Sequence, residues 1–194
     1  MQQQQEKLDK LIGVRSEIAE ALKKEFDDTS LGVRVDPQTG AIAFDSSIMF
    51  DFNDAELKPE GTDFLKQFVP RYLSILLQDD FRDYISEIII EGHTDTVGDY
   101  LFNLELSQKR ALSVAKFCLQ EGNADFSMDI DIAELRKLVT ANGRSFSDPV
   151  YNSDGSINMD ASRRVEFKFR LKDEDMISEM SDILAGNTEQ STEG

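Results

Sequence analysis

The chain has one cysteine, one histidine, four prolines and no tryptophan in 194 residues. A lone Cys118 excludes an internal disulfide and reads as a buried structural thiol. His93, with no second histidine or nearby cysteine, does not make a zinc set and reads as a shaper of its turn. With so few candidates no nucleophile can be matched to a base, so an enzyme is disfavoured, and neither a metal nor a cofactor is expected. Basic side chains are scarce as well, 21 against 38 acidic, for a net charge of −17. No basic stripe is left to release counterions from a phosphate backbone, so nucleic acid is not an expected partner. No apolar run approaches the roughly 18 residues that span a bilayer, and the N-terminus lacks the apolar core of a secretion signal. Met1, four glutamines and an immediate helical pattern make an abrupt start, which carries the expectation that an upstream segment, such as a membrane anchor, was removed.

What is present is enough for one ordinary core with appendages, since 40% of the residues are hydrophobic and domains cluster near roughly 100–150 residues. Leu8, Leu11, Ile18 and Leu22 keep a 3-4 spacing that Arg15 interrupts, which predicts a lead-in helix over 6–26. Its narrow seam suits packing on its own domain or on a second copy. Leu31–Val35 and Ala41–Phe44 flank a Pro and Gly turn and predict a β-hairpin. Pro59 and Glu60 suit a helix first turn, with Phe64, Leu65, Phe68, Tyr72 and Leu76 as its buried face and a kink or break expected at Pro70. Three isoleucines within Glu87–Glu91 mark a strand buried on both faces. A helix follows over 100–120 with Asp99 as N-cap, then a short helix over Ile132–Leu138, an irregular strand over Val139–Phe146, and a half-exposed strand over Arg164–Leu171. Met176, Ile177, Met180, Ile183 and Leu184 form one stripe of a C-terminal amphipathic helix, and 187–194 is expected to be disordered. Strands alternating with helices predict an α/β class, in the sense of an α+β sandwich with helices on one face of a mixed sheet. The domain plan is a helical linker over 1–30, a globular domain over 31–172, and a C-terminal helix and tail over 173–194.

The most specific stretch is Ile88–Cys118. Asp95 lies just past the isoleucine strand, where open sheets place their ligand crevices, and Gly98 lets the chain turn into the next helix. Asn103, Ser107 and Arg110 are spaced by 4 and 3 along one side of that helix. A carboxylate takes an ammonium and a planar guanidinium takes a carboxylate bidentately, so Asp95 and Arg110 together match a zwitterionic amino-acid head group. The competing reading is that the two brace the turn by pairing with each other. Asp51, Asp54 and Glu56 lack the spacing of a calcium loop and read as helix-start acids, and the run from Asp148 to Asp160 reads as solvated loop acids, with folding over a ligand mouth as the alternative.

Glu91-Gly92-His93-Thr94-Asp95-x-x-Gly98, followed by Asn103, Leu106-Ser107 and Arg110-Ala111, resembles the OmpA-like peptidoglycan-binding domain shared with peptidoglycan-associated lipoprotein and the stator protein MotB. Upstream, Phe50-Asp51-Phe52-Asn53-Asp54-Ala55-Glu56-Leu57-Lys58-Pro59-Glu60-Gly61 is similar to the family's entry motif, and Arg163-Arg164-Val165-Glu166 to its closing strand. The resemblance covers roughly 40–171 and implies a βαβαβ domain. It also implies non-covalent binding of the diaminopimelate of a peptide stem by Asp95 and Arg110. Asn103, Asp51 and Thr94 come out as further ligand-lining positions, with one of Arg163 or Arg164 near the pocket. Ser162 stands where the family usually has asparagine, Phe52 is bulky, and 123–160 is longer than the family's closing segment. The lead-in helix and long insert look most like stator-type MotB-like proteins, including the B subunit of the Zorya antiphage system. That likeness implies a homodimer in the periplasm, tethered to the inner membrane and working with a membrane partner subunit. The alternative is a protein-interaction scaffold that kept the fold and lost wall binding.

Overall fold

The computed structural model describes residues 2–27, 29–120 and 131–172. Helix α1 (Gln2–Phe26) leads into the hairpin β1 (Arg34–Val35) and β2 (Ile42–Asp45), then α2 (Pro59–Leu76), β3 (Ile85–Gly92) and α3 (Tyr100–Leu119). Helix α4 (Ile132–Leu138), β4 (Val139–Gly143), the short α5 (Met159–Ser162) and β5 (Arg164–Leu171) complete the described fold. The sheet order is β1-β2-β5-β3-β4. Only β3 and β4 run parallel, with Ile88 opposite Val139, as a strand-helix-strand crossover requires. The closing strand β5 is antiparallel to both β2 and β3, pairing Phe167 with Ile42 on one side and Ile90 on the other.

Alternation along β5 decides the two faces of the sheet. Val165, Phe167, Phe169 and Leu171 are buried in the core, while Glu166, Lys168 and Arg170 fall on the other face. That second face is polar and cross-linked, with Arg170 2.9 Å from Glu87 and Lys168 2.7 Å from Glu91. All the long helices therefore cover one side. Phe68 of α2 is the hub there, 5.0 Å from the Phe167 ring, 5.1 Å from Phe26 and 5.5 Å from Tyr72. In β3, Ile88 and Ile90 join this core, whereas Ile89 is buried outside it.

Of the kink or break expected at Pro70, a break does not occur: helix α2 is continuous to Leu76, and the flanking Phe68, Val69, Tyr72 and Leu73 are all buried in the core. The helix expected as a linker is part of the domain: Val14, Ile18, Leu22 and Phe26 enter the common core. Arg15, which interrupts the apolar seam, ties α1 to the sheet by donating to the Thr39 carbonyl at 2.9 Å and lying 4.7 Å from the Phe169 ring centroid. The stripe from Met176 to Leu184 and the tail lie outside the described residues. Among the described residues no helix is long and apolar enough to cross a membrane.

Helix α3 sits unusually close to the sheet. A Cβ added at Gly92 would lie 2.3 Å from the Ser107 carbonyl oxygen, and one at Gly143 would lie 2.4 Å from the Gln108 nitrogen. Gln108 completes the contact by donating to the Ala141 carbonyl and accepting from the Gly143 N–H, closing the outer edge of β4. Gly92→Ala is expected to cost about 1–3 kcal/mol, the usual range for overpacking, measured by urea unfolding. Gly13→Ala, in α1 where an added Cβ meets nothing within 4 Å, is expected to raise stability by roughly 0.5–1 kcal/mol. Equal effects at the two positions would refute the close approach.

Candidate functional site

Strand β3 ends at Gly92 and delivers His93, Thr94 and Asp95 to the C-terminal edge of the sheet. The Asp95 carboxylate, 15% exposed, accepts from the Val97 N–H at 2.9 Å through Oδ1 and from the Arg163 guanidinium at 2.6 Å through Oδ2. Gly98, at φ 94°, then reverses the chain, a conformation that only glycine adopts readily. Asp99 caps α3 by accepting from Leu101 and Phe102 N–H. One turn on, Asn103 donates its amide to the Val97 carbonyl at 2.9 Å. The Asp95 turn is thus held from both ends by α3.

The loop after β4 is stitched to the same place. Ser145, fully buried and left-handed at φ 51°, donates its N–H to Ser107 Oγ at 3.0 Å and its hydroxyl to the Tyr100 carbonyl at 2.8 Å. Its carbonyl accepts from the Thr94 N–H at 2.9 Å. Thr94 therefore lies inside the site's wall, with its hydroxyl on the Asp95 carbonyl.

Arg110 lies two turns beyond Asn103 and is only 7% exposed. Its Nε donates to the Asp54 carbonyl at 2.7 Å and its Nη2 to the Asp51 carbonyl at 3.1 Å, and the guanidinium lies 5.2 Å from the Phe50 ring centroid. Burial pulls its pKa down, while the charges of Asp54 and Asp95 push back. A guanidinium carries five N–H donors, and these two carbonyls do not exhaust them. The loop it grips reverses at Asn53, φ 56°, and Asp54 caps it by accepting from Ala55 and Glu56 N–H. Asp54 thus caps a turn of the loop rather than helix α2, which starts at Pro59 with Glu60 as the acid of its first turn. Phe52 stands almost wholly exposed at the loop's tip, and the Asp51 carboxylate faces solvent 3.8 Å from Lys58 Nζ.

Asp95 and Arg110 do not pair with each other. Asp95 holds Arg163, whose guanidinium also pairs with Asp160, and the hydrogen bond to Asp95 raises the Arg163 pKa. Of the two arginines left open by the sequence, Arg163 is the one at the turn. Arg164 is buried and turned away, pairing with Glu166 and with Asp148 at 3.2 Å. The sequence placed Ser145 in an irregular strand over Val139–Phe146, whereas the strand ends at Gly143 and Ser145 lies in the loop beyond it. Asp160 was legible only as one member of an acidic run.

His93 is buried on the polar side of the sheet, its Nε2 3.1 Å from Glu91 Oε1 and 3.9 Å from Glu166. Glu91, His93 and Glu166 could by spacing hold a metal ion, but Lys168 lies 2.7 Å from Glu91 and 3.3 Å from Glu166, and Arg164 pairs with Glu166. Two cations already balance the two carboxylates, so the charge that would attract a divalent ion is spent. Burial pushes the Glu91 carboxyl up, but hydrogen bonds from His93 and Lys168 outweigh it and bring it down to about 2. Cys118 is buried, its thiol pushed up to about 12, which leaves no thiolate for nucleophilic chemistry. A depression of about 630 Å³ between α4 and the start of β3, lined by Arg82, Ile85, Glu134 and Lys137, lies at the opposite end of β3 from Asp95.

This is an α/β domain with helices on one face of a mixed five-stranded sheet, and it carries Asp95 just past the C-terminal end of the interior strand β3 and Arg110 on the helix that follows. The chain belongs to the OmpA family, whose model matches residues 49–153. It is 32% identical over 165 residues to Zorya protein ZorB from Escherichia coli O139:H28, a match that takes in 81% of this chain and 64% of that relative, so less than two thirds of its length. Outer membrane protein A of Bordetella avium is 33% identical over 86 residues, 44% of this chain and 40% of that protein. Among solved structures the fold is similar to a MotB-like protein from Desulfovibrio vulgaris (TM-score 0.59, 22% identity, 84% of this chain and 94% of that one). It is also similar to the periplasmic domain of Helicobacter pylori MotB (TM-score 0.51, 15% identity, 80% and 90%). The mixed five-stranded sheet agrees with the fold class expected from the sequence.

The Glu91 environment makes a pH prediction. Its carboxyl titrates near 4.5 when unfolded and at about 2 when folded. The stabilisation is therefore complete above about pH 5 and is lost as pH falls toward 2. Urea midpoints measured at pH 7, 4 and 3 should fall for the wild type, and Glu91→Gln should be less stable at pH 7 with a gap that narrows at pH 3. A gap of constant size would show that Glu91 is not the source.

Proposed function

We propose that this domain binds peptidoglycan non-covalently, by taking the zwitterionic end of a diaminopimelate-type stem peptide between Asp95 and Arg110. The observation that carries this is the pair itself: a largely buried carboxylate at the end of β3 and a buried guanidinium on α3, close enough for each charge to act on the other, in an OmpA-family chain. Asp95 would take the ammonium. Arg110 would give its remaining N–H donors to the carboxylate, with Asn103, the Asp51 loop, Thr94 and Arg163 as the surrounding wall. In this reading the domain holds its ligand without covalent chemistry, with His93 hydrogen-bonded to Glu91 and Cys118 buried as a thiol. Each charged hydrogen bond contributes about 1.5–3 kcal/mol, while association costs at least ~4 kcal/mol. One site alone should bind in the micromolar to millimolar range.

The same reading makes the domain the wall anchor of a stator-type protein of the periplasm, tethered to the inner membrane, acting as a homodimer with a membrane partner subunit. The likeness to ZorB and to MotB-like folds supports it. Several domains binding one wall together would turn weak sites into firm retention.

The test is NMR titration of the folded chain with a diaminopimelate-containing stem tripeptide. Saturable shifts spanning 94–110 are expected. Asp95→Asn and Arg110→Lys should each weaken binding at least tenfold, the lysine because it keeps the charge but loses the planar fork. A wild type that stays silent at millimolar tripeptide would favour the interaction-scaffold reading instead.

A further inference from the structure

Resting on that reading, we propose that Asp160, in the insert, is a specificity-determining residue: it sets the charge balance of the site so that a zwitterion is preferred to a simple carboxylate. Arg163 bridges Asp95 and Asp160 at the turn, while Arg110 on α3 feels the charges of Asp54 and Asp95. Asp160 thus offsets the positive charge that Arg163 brings to the carboxylate meant for an ammonium.

Without Asp160, Arg163 would be held by Asp95 alone and would neutralise the one carboxylate meant for the ammonium. Such a site would hold an ammonium less well. Asp160 offers Arg163 a second partner, so Asp95 keeps unspent acceptor capacity; a carboxylate has about four lone-pair positions, and Val97 N–H and Arg163 use two of them. The arrangement is built, because α5 carries Asp160 to the turn: Asn158 caps α5 through the Ala161 N–H, Ser162 Oγ donates to the Asn158 carbonyl, and Met159 Sδ meets the Thr96 hydroxyl at 3.5 Å. Asp160 itself is 86% exposed, so its effect is a screened one of a few-fold. It acts through Arg163 and needs no contact with the ligand.

The experiment compares two probes on the full chain: the diaminopimelate stem tripeptide, and the same tripeptide with its distal amine acetylated. The readout is the ratio of their dissociation constants. The wild type should prefer the free amine, and Asp160→Asn should lower that preference about threefold at low salt with an unchanged melting temperature. Asp160→Glu, which keeps the charge, should retain it. If the wild type binds the free-amine tripeptide but Asp160→Asn leaves the ratio unchanged, the role of Asp160 is wrong while peptidoglycan binding stands. If Asp160→Glu loses the preference as fully as Asp160→Asn, packing of α5 rather than charge is responsible and the inference fails. If the wild type binds neither probe at millimolar concentration, the proposed function fails and this inference falls with it.

Discussion

Helix α3 lies so near the sheet that two positions beneath it can carry no side chain, and most of the candidate site follows from that approach. With Gly92 and Gly143 under Ser107 and Gln108, the helix backbone rests on the strands. The polar line of Asn103, Ser107 and Arg110 is then held at fixed height over the end of β3. Ser107 can reach the Ser145 N–H, Asn103 the Val97 carbonyl, and Arg110 the loop before α2. A helix standing one methyl group further out would lose these contacts together, because hydrogen bonds weaken steeply with distance and angle. The side chains that form the site are also those that fasten three separate loops to one helix.

The same economy explains why the arginines have two duties. Arg110 is buried, and a buried guanidinium needs acceptors. It finds two in the carbonyls of Asp51 and Asp54 rather than in a carboxylate. Neutral acceptors leave its charge only partly offset, by the carboxylates of Asp54 and Asp95 that act without pairing with it, and so available to an incoming anion. Arg163 is arranged the other way, between two carboxylates and 40% exposed, so its charge is cancelled locally. One arginine is thus kept as an electrostatic resource and the other as a brace. On the far face of the sheet the pattern is uniformly of the second kind, with Lys168, Arg164 and Arg170 each matched to glutamates.

How far the sequence led can be read from particular residues. The limits of α4 and β5 and the Asp99 cap follow from local periodicity and capping chemistry, and the structure reproduces them. At Pro70 no break occurs, because four buried neighbours hold the helix together across the missing hydrogen bond. Arg15 looked like a defect in a seam and is a tertiary contact, which no local rule reveals. The choice between Arg163 and Arg164 could not be made from the chain alone. Adjacent residues entering a strand point to opposite faces, and which face each takes depends on where α5 ends and β5 begins. Ser145 needed the fold as well, since its left-handed backbone matters only because Thr94, Tyr100 and Ser107 converge on it.

On the proposed reading, the pairing of Asp95 with an arginine serves selectivity rather than opposing the binding of an ammonium. In the free chain Asp95 is oriented by the Val97 N–H and Arg163, so a ligand finds it preorganised and the ordering cost of binding is reduced. Because Arg163 also weakens the field of Asp95, an ammonium alone gains little there. A carboxylate alone gains little at Arg110, where part of the fork is already committed to the loop. Only a ligand that supplies both signs at the right separation recovers both interactions at once. Discrimination then comes from the requirement for simultaneous fit rather than from the strength of either contact, a logic suited to an anchor that must recognise one repeating unit of a polymer and can multiply its hold by using many copies.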